Sequence, residues 1–402
     1  MIPVLIGKHV VLGVTGSIAC YKALDLASKL TQAGALVEVI MTHAASQFVT
    51  PLAFRSVTHR QVTTSLSHPQ SEHSIEHVAL AEKADVVIVA PATAHCIAKA
   101  ALGLADDPLT TTLLATQAPI IIAPAMDGHM YQNPATQHNL EKLHARGMTI
   151  VGPDNGRLAS GITGIGRLIE TKQLIGHVRA ILGRNGYLSN KTIVVSAGGT
   201  QEHIDPARMI TNRSSGKMGY ALAEAARDQG ARTILISAPT SLSDPVGVQV
   251  IKIGTALEMQ HQVNQVVNKA QALIMAAAVS DYRPKTTANR KLKKDSTSIA
   301  IELVKNPDIL AETKGSMVKV GFAAESNDLI ENAKLKLVQK DLDLIVANDI
   351  TTPNGGFGTD TNKVVIISKN GVEENLPIMS KESVAYQILD RVRMLLDTIS
   401  PC

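Results

Sequence analysis

Two turns rich in glycine and hydroxyl side chains each follow a short apolar segment, and they are the first places where chemistry is expected. They are Gly13–Ala23 (GVTGSIACYKA) and Ser196–Thr200 (SAGGT). Gly16 permits a tight turn, and Ser17 can cap the next helix, whose first N–H groups attract a phosphate. The amides of the second turn can form a concave anion site. Both turns also fit plain strand-to-helix connections, and neither has the GxGxxG or GxxxxGKS/T pattern.

Three further segments place small, hydroxyl-bearing or proline residues directly after apolar runs. They are Met41–His43, Ala90–Thr93 and Ala123–Asp127. The carboxyl ends of parallel strands share one edge of a sheet, so these segments are expected to ring a pocket with backbone amides and hydroxyls. Such donors suit flavin mononucleotide (FMN), whose phosphate and ring edge need them. The segments also fit ordinary strand ends that stop at proline.

A basic cluster, Arg290–Lys294, follows the segment Ala276–Pro284 (AAAVSDYRP), which places Asp281 just after an apolar run. The cluster lies in a polar loop, Ser280–Ser298, that we expect to cover strand ends. Lys side chains and Mg²⁺ commonly neutralise a triphosphate, whose charge is roughly −4. A charge run also fits a solvated surface.

His77, alone on an apolar helix face, likewise fits a buried core histidine.

Short apolar runs alternate with helical patterns and would position these segments. The strands expected in the first half are His9–Val14, Leu36–Met41, Ala84–Ala90, Pro119–Ala123 and Met148–Val151, with a helix over Ser17–Gln32. Those expected in the second half are Lys191–Ala197, Arg232–Ser237, Ala272–Ala277, Val318–Gly321, Leu342–Ala347 and Lys363–Ser368. Continuous apolar strands between helices indicate a parallel sheet covered on both faces. The sequence thus predicts two doubly wound α/β domains, Rossmann-like or flavodoxin-like, over residues 1–189 and 190–402.

Composition restricts the class of protein. The chain has 402 residues, more than one core usually supports, and 45% are apolar, so two cores are expected. Four Phe, six Tyr and no Trp, with a net charge of only +4, argue against a nucleic-acid partner. Three scattered cysteines, no secretory leader and no membrane-length apolar run favour a cytoplasmic protein without a membrane partner. The Gly-rich loop Gly152–Arg167 is a candidate mobile flap.

The first half resembles flavin-containing cysteine decarboxylases, above all the decarboxylase half of bacterial bifunctional phosphopantothenoylcysteine decarboxylase/phosphopantothenate–cysteine ligases. The resemblance rests on GSIACYK, HSIEHVALAEKADVVIVAPATAHCIAKAALGLADD, APAMDGHMYQNPATQHN and GRLASGITGIGR. It implies that His77 is the catalytic acid or base, a role that suits imidazole near neutrality. FMN would supply the electron sink for loss of CO₂. The residues implied to bind FMN are Gly16, Ser17, Ile18, Thr42, Thr93, Thr110, Ala125 and Met126.

Two positions depart from the family pattern. The family's PxMN motif reads Pro124–Asp127 (PAMD), with Asp127 where an asparagine amide can donate to the substrate carboxylate. An ionised Asp127 would repel that carboxylate, so it must be held protonated or share the contact with a neighbouring donor. The family's flap cysteine, the proton donor of the reduction step, is replaced by Ser160. A hydroxyl is a weaker acid than a thiol, so Ser160 either relays a proton or leaves an oxidised enethiol as product.

The second half closely resembles the ligase half of the same enzymes, through TNRSSGKMG, AAAVSDYRP, KLKK, VKNPDIL and GFAAE. The resemblance implies that Asp281 and the backbone of Met275, Ala276 and Ala277 hold the cytosine of CTP. The other residues implied to contact CTP are Pro307, Asp308, Ile309, Leu310, Phe322, Lys336 and Lys340, with Lys291 over the triphosphate. Asn212 and Arg208 would handle phosphopantothenate and its acyl-cytidylate. Mg²⁺ would be held mainly by the CTP phosphates, and no protein ligand for it is identified.

The resemblance spans essentially the whole chain and implies an enzyme of coenzyme A biosynthesis. The ligase would join cysteine to 4′-phosphopantothenate with CTP, and release pyrophosphate and CMP. The decarboxylase would convert the product to 4′-phosphopantetheine. Two alternatives stay open: a ligase joined to an oxidative decarboxylase, or a non-catalytic flavoprotein that regulates a partner. The family also implies a homo-oligomer, with trimers through the first half and dimers through the second, jointly a dodecamer.

Overall fold

The computed structural model describes residues 2–66, 76–293, 299–325, 328–349 and 358–399. The chain forms two compact units, Met1–Gly183 and Arg184–Cys402, and the division falls at the start of the segment Gly183–Asn190. Each unit is a doubly wound α/β domain, which confirms the expected fold class. No helix among the described residues is both long and apolar enough to cross a membrane.

The first unit is built on a six-stranded parallel sheet with the order β3-β2-β1-β4-β5-β6. Its strands are β1 His9–Val14, β2 Leu36–Met41, β3 Val62–Thr63, β4 Val86–Ala92, β5 Ile120–Pro124 and β6 Thr149–Ile150, and an antiparallel hairpin follows, β7 Asp154–Arg157 and β8 Thr163–Arg167. Its helices are α1 Cys20–Gln32, α2 Pro51–Thr58, α3 Glu76–Lys83, α4 Ala94–Leu102, α5 Pro108–Ala115, α6 Gly128–Gln132, α7 Pro134–Ala145 and α8 Thr171–Gly183. The strand order reverses between β1 and β4, and ligands of such sheets bind at the reversal.

Successive residues of each buried strand point to opposite faces of this sheet and feed two separate cores. Val10 and Leu12 of β1 belong to the core that packs against α1 and α8. Val11 between them belongs to the other core, with residues of α4, α5 and α7. Both faces are therefore covered, which explains why the strands are apolar without alternation.

The second unit is built on an eight-stranded sheet with the order β13-β12-β9-β14-β17-β18-β20-β21. The strands of this sheet are β9 Thr192–Ala197, β12 Arg232–Ser237, β13 Gln249–Lys252, β14 Ala272–Met275, β17 Val318–Glu325, β18 Leu344–Asp349, β20 Val364–Ser368 and β21 Glu373–Asn375. Three antiparallel pairs lie outside it: β10 Gln201–Asp205 with β11 Arg208–Thr211, β15 Tyr282–Pro284 with β16 Leu303–Lys305, and β19 Thr361–Asn362 with β22 Met379–Ser380. The helices are α9 Lys217–Asp228, α10 Ala256–Val266, α11 Ile309–Glu312, α12 Leu329–Gln339 and α13 Lys381–Ile399.

Several expected boundaries need correction. A fully parallel second sheet is wrong, because β20 and β21 run antiparallel to their neighbours. The strand at Val364–Ser368 is apolar because the sheet buries it, and burial does not distinguish parallel from antiparallel pairing. The first helix begins at Cys20 and not at Ser17. Other strands shift by up to a few residues, since β4 runs to Ala92 and β14 ends at Met275.

Helix α13 is joined to α9 by a buried carboxylate. Asp228 is 3% exposed, and its Oδ1 accepts from Nε and Nη2 of Arg227 at 2.9 and 2.6 Å. The hydroxyl of Tyr386 on α13 donates to Oδ2 of Asp228 at 2.7 Å. A buried charge needs such donors, so the contact fixes one helix against the other.

We expect Tyr386→Phe to lower the free energy of unfolding by about 1–3 kcal/mol, because it removes a donor to a buried charge. Urea unfolding of the full chain, followed by circular dichroism since the protein has no Trp, would measure the change. The control is Tyr282→Phe, a half-exposed tyrosine of the same unit. Equal stability of both variants and the wild type would contradict the inferred role of Tyr386.

Candidate active sites

The first unit contains a cavity of about 480 Å³ at the carboxyl edge of its sheet. It lies between the start of α1, the end of β5 and the hairpin β7–β8. The residues that line it are Ser17, Ile18, Ala19, Tyr21, Lys22, Ala125, Met126, Asp127, Arg157, Leu158, Ala159, Ser160, Gly166, Arg167 and Leu168. The structure therefore brings together Ser17, Ile18, Ala125, Met126, Asp127 and Ser160 of the residues implied by resemblance.

The turn before α1 is suited to an anion, although not in the way expected. Ser17 does not cap the helix, because its Oγ accepts from the N–H of Ala19 at 3.3 Å within the turn. A Cβ at Gly16 would lie 2.5 Å from the Cβ of Ala44, so glycine is required there by close packing. Among the described residues, no acceptor meets the N–H groups of Gly16, Ser17 and Ile18. These groups, with the N-terminus of a 13-residue helix, fit a phosphate.

The ends of β1 and β4 are tied together next to this turn. The hydroxyl of Thr15 donates to the carbonyl of Pro91 at 2.7 Å, and it accepts from the N–H of Thr93 at 3.0 Å. Thr15 is buried, so the link is shielded from water. The two strand ends at the reversal are thus held at a fixed separation.

The hairpin β7–β8 is docked onto the end of β5 by backbone contacts. The N–H of Met126 donates to the carbonyl of Gly166 at 3.0 Å. Gly166 has φ +139°, and a Cβ there would overlap the carbonyl of Met126. A Cβ at Gly128 would lie 2.9 Å from the carbonyl of Ile165. The loop Gly152–Arg167, expected as a flap, is therefore an ordered hairpin at its base.

This docking places Ser160 against Asp127. The hydroxyl of Ser160 donates to Oδ2 of Asp127 at 3.1 Å, and Oδ1 of Asp127 accepts from the N–H of His129 at 3.0 Å. The two positions that depart from the family pattern are therefore partners of each other. Whether Ser160 also donates to the substrate carboxylate stays a prediction.

Lys22 is a buried cation of this cavity that sequence reasoning missed. The side chain is 7% exposed, and its Nζ donates to the carbonyl of Leu168 and to Oε1 of Glu170, both at 2.9 Å. The hydrogen bond from Lys22 lowers the pKa of Glu170. Lys22 thus ties α1 to the chain after β8. A charged residue in the otherwise apolar start of α1 is the signal that could have revealed it.

Three threonines that the resemblance implied for FMN binding are not among the residues that line the cavity. The Oγ1 of Thr42 accepts from Ala45 and the Oγ1 of Thr93 caps α4, so both organise the turns around it. Thr110 is buried in a capping box with Asp107 at the start of α5. The backbone of His77 belongs to α3, but its side chain lies outside the described part of the structure.

We expect Gly166→Ala to separate the hairpin from β5 and weaken flavin retention, because the added methyl would meet the Met126 carbonyl. The matched control is Gly164→Ala on the same strand, where an added Cβ meets nothing within 4 Å. Visible absorbance of bound flavin after gel filtration would measure retention. Full retention in Gly166→Ala would show that the docking is not needed for the site.

The second unit contains a cavity of about 290 Å³ beyond β14 and β17. The residues that line it are Met275, Ala277, Ala278, Val279, Ser280, Asp281, Lys305, Asn306, Pro307, Asp308, Ile309, Leu310, Gly321, Phe322, Lys336, Lys340, Leu342 and Ile345. It thus brings together most of the residues that the resemblance implied for CTP. The exceptions among them are Ala276 and Lys291. The lining also lacks Arg208 and Asn212, which were implied for phosphopantothenate and its acyl-cytidylate.

Three lysines and two carboxylates give this cavity its charge. Nζ of Lys340 lies 2.9 Å from Oδ2 of Asp308, whose Oδ1 accepts from the first turn of α11. Lys336 and Lys305 line the wall, and Asp281 lies at the rim. A site with several ammonium groups can neutralise an anionic ligand, while the carboxylates offer acceptors for amino groups.

A smaller cavity of about 150 Å³ lies on the other side of Ala276–Ala278 and contains residues that sequence reasoning missed. Lys217 and Lys381 line it, together with Asn348 and Asn362. Burial, and then the charge of Lys217, lowers the pKa of Lys381. In the described part of the chain, the buried Oδ1 atoms of both asparagines have no hydrogen-bond partner. These oxygen atoms can accept hydrogen bonds from the donor groups of a polar substrate.

Arg208 is the first residue of β11, and Asn212 follows the last residue of that strand. Nδ2 of Asn212 donates to the carbonyls of Ala278 and Val279 at 3.2 and 3.3 Å. The strand ends are themselves joined, since the N–H of Ala278 donates to Gly198 at 2.8 Å. Arg208 is paired with Asp205 and does not point freely at a ligand.

Lys291 lies in the described part of the loop, while Lys294 and residues 295–298 of the expected lid lie outside it. The side chain of Lys291 is exposed. The group of residues that could hold Mg²⁺ was not identified from sequence. The described residues contain no cluster of three or more His, Cys, Asp or Glu side chains suited to a metal ion.

Comparisons with known proteins agree with this division of the chain. A family model described as Flavoprotein matches residues 5–183, and one described as DNA/pantothenate metabolism flavoprotein C-terminal domain matches residues 188–395. The coenzyme A biosynthesis bifunctional protein CoaBC of Vibrio cholerae is 45% identical over 96% of this chain and 98% of its own. The CoaBC proteins of Bacillus subtilis and Escherichia coli are 46% and 43% identical, each over 96% of this chain and 97% of their own.

The fold and the family models define a two-domain α/β flavoprotein. The match to the relatives covers nearly the whole chain and identifies the family within this class. The chain belongs to the family of coenzyme A biosynthesis bifunctional proteins, and the resemblance read from its motifs is confirmed.

Proposed function

We propose that the first unit is an FMN-dependent decarboxylase that acts on 4′-phospho-N-pantothenoylcysteine, and that the second is the CTP-dependent ligase that makes this compound. The observation that carries the proposal is that most motif residues of each unit line cavities beyond the carboxyl ends of its parallel strands, one cavity in the first unit and two in the second. The order of units follows the two family models.

The first cavity fits FMN by the chemistry of its lining. The N–H groups of Gly16, Ser17 and Ile18 would hold the phosphate, and Ile18 and Met126 offer apolar surface for the ring. When bound, the flavin supplies the oxidation that lets CO₂ leave a cysteine carboxylate. The chain's part is to orient the cysteine, exclude water and move protons, with His77 the proposed acid or base.

Asp127 and Ser160 are proposed to act together at the substrate cysteine. The Asp127 carboxyl group would face a substrate that also bears a carboxylate, and the Ser160 hydroxyl already donates to its Oδ2. The same hydroxyl is the proton donor nearest to Asp127 on the hairpin turn. A hydroxyl releases a proton far less readily than a thiol, so the final reduction is the step most exposed to the change.

We expect purified protein, given phosphopantothenoylcysteine, to form phosphopantetheine slowly, and Ser160→Cys to raise that rate by about tenfold or more, since general acids contribute 10²–10⁴-fold. Product masses would be read by mass spectrometry. A product two hydrogens lighter as the sole species would reject complete turnover and favour an oxidative decarboxylase. Ala159→Ser, on the same turn, is the matched control and should leave the product ratio unchanged.

The larger cavity of the second unit is proposed to bind CTP. Asp281 and the backbone of Met275–Ala277 would hold the base. Lys336 and Lys340, which line the cavity, would face the phosphates. Lys291 lies outside this lining and is proposed to face the phosphates by the family resemblance. Mg²⁺ would be held mainly by the phosphates. Attack of the phosphopantothenate carboxylate on the α-phosphate would give an acyl-cytidylate and pyrophosphate, and the amine of cysteine would then displace CMP. The protein's part is positioning and charge neutralisation.

The smaller cavity is proposed to hold phosphopantothenate. Lys217 and Lys381 offer positive charge for its phosphate. The Asn348 and Asn362 oxygens, which have no partner among the described residues, offer acceptors for its hydroxyl and amide groups. The two cavities share Ala277, Ala278 and Phe322 in their linings. A carboxylate in the smaller cavity would therefore lie close to a nucleotide in the larger one.

We expect Lys291→Gln to reduce pyrophosphate release from CTP, phosphopantothenate and cysteine by about 10²-fold, because a charge facing the triphosphate is lost. Lys285→Gln is the control, since Lys285 is exposed and paired with Glu302 on the stem of the same loop. An unchanged rate in Lys291→Gln would refute its assignment.

A cytoplasmic location and a homo-oligomer of up to twelve copies stay predictions. They rest on the family resemblance alone. Sedimentation analysis of the flavin-loaded protein would measure the number of copies, and a monomer with full activity would reject the proposal.

A further inference from the structure

The Lys-rich loop of the second unit is held by a buried carboxylate that no motif singled out. Asp205, at the end of β10, is fully buried. Its Oδ1 accepts from the N–H groups of Ala207 and Arg208 at 2.8 and 2.9 Å. Its Oδ2 accepts from Nε of Arg208 at 2.9 Å and from the N–H of Leu292 at 3.1 Å. The carboxylate thus joins the hairpin β10–β11 to the centre of the loop.

Arg208 completes the attachment from the other side of the same peptide. Its Nη2 lies 2.6 Å from Oδ2 of Asp205 and donates to the carbonyl of Leu292 at 2.7 Å. Both backbone polar groups of Leu292 are therefore engaged, the N–H by Asp205 and the carbonyl by Arg208. We call this arrangement of Asp205, Arg208 and the Leu292 backbone the Leu292 clamp.

Two further contacts align the loop with the hairpin before it reaches the Leu292 clamp. The hydroxyl of Thr287 donates to the carbonyl of His203 at 3.0 Å. The N–H of Ala288 donates to the carbonyl of Ile204 at 3.0 Å. The path of the loop along β10 is therefore set by the Thr287 hydroxyl and by backbone groups, independently of the lysine side chains.

The charge of Asp205 persists across the working pH range. Burial alone would raise the pKa of Asp205, but the N–H groups of Ala207 and Leu292 and the Arg208 guanidinium together lower it to about 2. A lowered carboxylate pKa means that the interaction is present above the ordinary value and is lost as pH falls through the lowered one. The Leu292 clamp is thus insensitive to pH near neutrality.

The residues on either side of Leu292 are Lys291 and Lys293, and both side chains are exposed. Among the described residues, neither has an ion pair or a hydrogen bond. The loop leaves the stem β15–β16, whose ends continue into Asp281 and Asn306 of the larger cavity. Two uncommitted cations thus flank a fixed peptide on a loop rooted at that cavity.

We propose that Asp205 is a positioning residue of the ligase reaction, which fixes the Leu292 peptide so that Lys291 and Lys293 are held ready for an anionic ligand such as a nucleotide triphosphate. The proposal rests on the proposed function of the second unit. Its physical basis is that a loop whose backbone is already ordered loses less conformational entropy when its lysines bind the ligand. Asp205 itself touches no ligand.

Proteolysis tests the Leu292 clamp without any catalytic assay. Trypsin cleaves after Lys291, and the amide of that bond is the N–H that Asp205 accepts. A protected amide must open before cleavage. We expect Asp205→Asn in the full chain to speed cleavage of the Lys291–Leu292 bond by roughly tenfold or more, a typical effect of a lost hydrogen bond to charge.

The matched control is Glu202→Gln on the same hairpin. Glu202 is 2% exposed, and it accepts from the N–H of Ala256, away from the loop. Its replacement should leave cleavage after Lys291 unchanged. Equal cleavage rates in Asp205→Asn and the wild type would overturn the proposal, and so would equal acceleration by Glu202→Gln.

A second pair of variants leaves the buried carboxylate in place. Leu292→Pro removes the donated N–H, whereas Leu292→Ala keeps it. We expect the KM for CTP to rise by roughly tenfold in Leu292→Pro with little change in kcat, and to stay near the wild-type value in Leu292→Ala. The same KM in both variants would contradict the proposal.

A double-mutant cycle separates positioning from general stability. If Asp205 acts through the lysines, Asp205→Asn should add little to the loss already caused by Lys291→Gln with Lys293→Gln. Additive losses would overturn the proposal. A wild-type protein that releases no pyrophosphate from CTP would refute the proposed ligase, while the trypsin experiment would still decide the Leu292 clamp.

Discussion

The two strands that flank the reversal of strand order are hydrogen-bonded to each other around their carboxyl ends, and both candidate sites depend on this constraint. In the first unit Thr15, which follows β1, is hydrogen-bonded to Pro91 near the end of β4 and to Thr93 just after β4. In the second, Gly198 and Thr200 after β9 pair with Ala278 after β14. Parallel strands stop at one edge of the sheet and leave backbone groups there. The hydrogen bonds between the two strand ends hold these backbone groups in a fixed position, where a ligand can bind.

Short antiparallel strand pairs beside these joined strand ends supply the side chains that differ between the two units. The hairpin β7–β8 brings Ser160 over the end of β5, and β10–β11 with β15–β16 brings Arg208 and the Lys-rich loop toward the end of β14. Each is attached mainly through backbone hydrogen bonds, often where a glycine allows close approach, as at Gly166 and Gly199. The parallel sheets position the ligand, and the antiparallel pairs carry the reactive side chains. One fold can therefore serve two different reactions.

Much of this arrangement is predictable from sequence because it follows local rules. The runs His9–Val14, Leu36–Met41 and Arg232–Ser237 are strands with the expected bounds, since a buried parallel strand must be apolar throughout. The motifs also placed Asp127, Ser160 and most of the CTP residues at cavities. The direction of β20 was not predictable, because pairing direction depends on the length and path of the preceding connection.

Other features depend on contacts between residues far apart in the chain. The Asp127–Ser160 hydrogen bond, the burial of Lys22 and the acceptance of the Leu292 amide by Asp205 each join separate segments. Local pattern contains no signal for such pairs. Ser17 shows a related difficulty, since its spacing fits a helix cap while the helix begins later. The sequence shows which residue types stand at these positions. The residues that they contact become known only from the folded structure.

The position of α13 has a consequence for the order in which the two activities can arise during synthesis. Every element around the cavity of the first unit precedes Arg184, so that site can be complete while the ribosome is still translating the second unit. The smaller cavity of the second unit instead takes Lys381 from α13, and Tyr386 anchors that helix on α9. Because domains fold as units as they emerge, a nascent chain gains a flavin-binding pocket well before it gains a finished site for ligation.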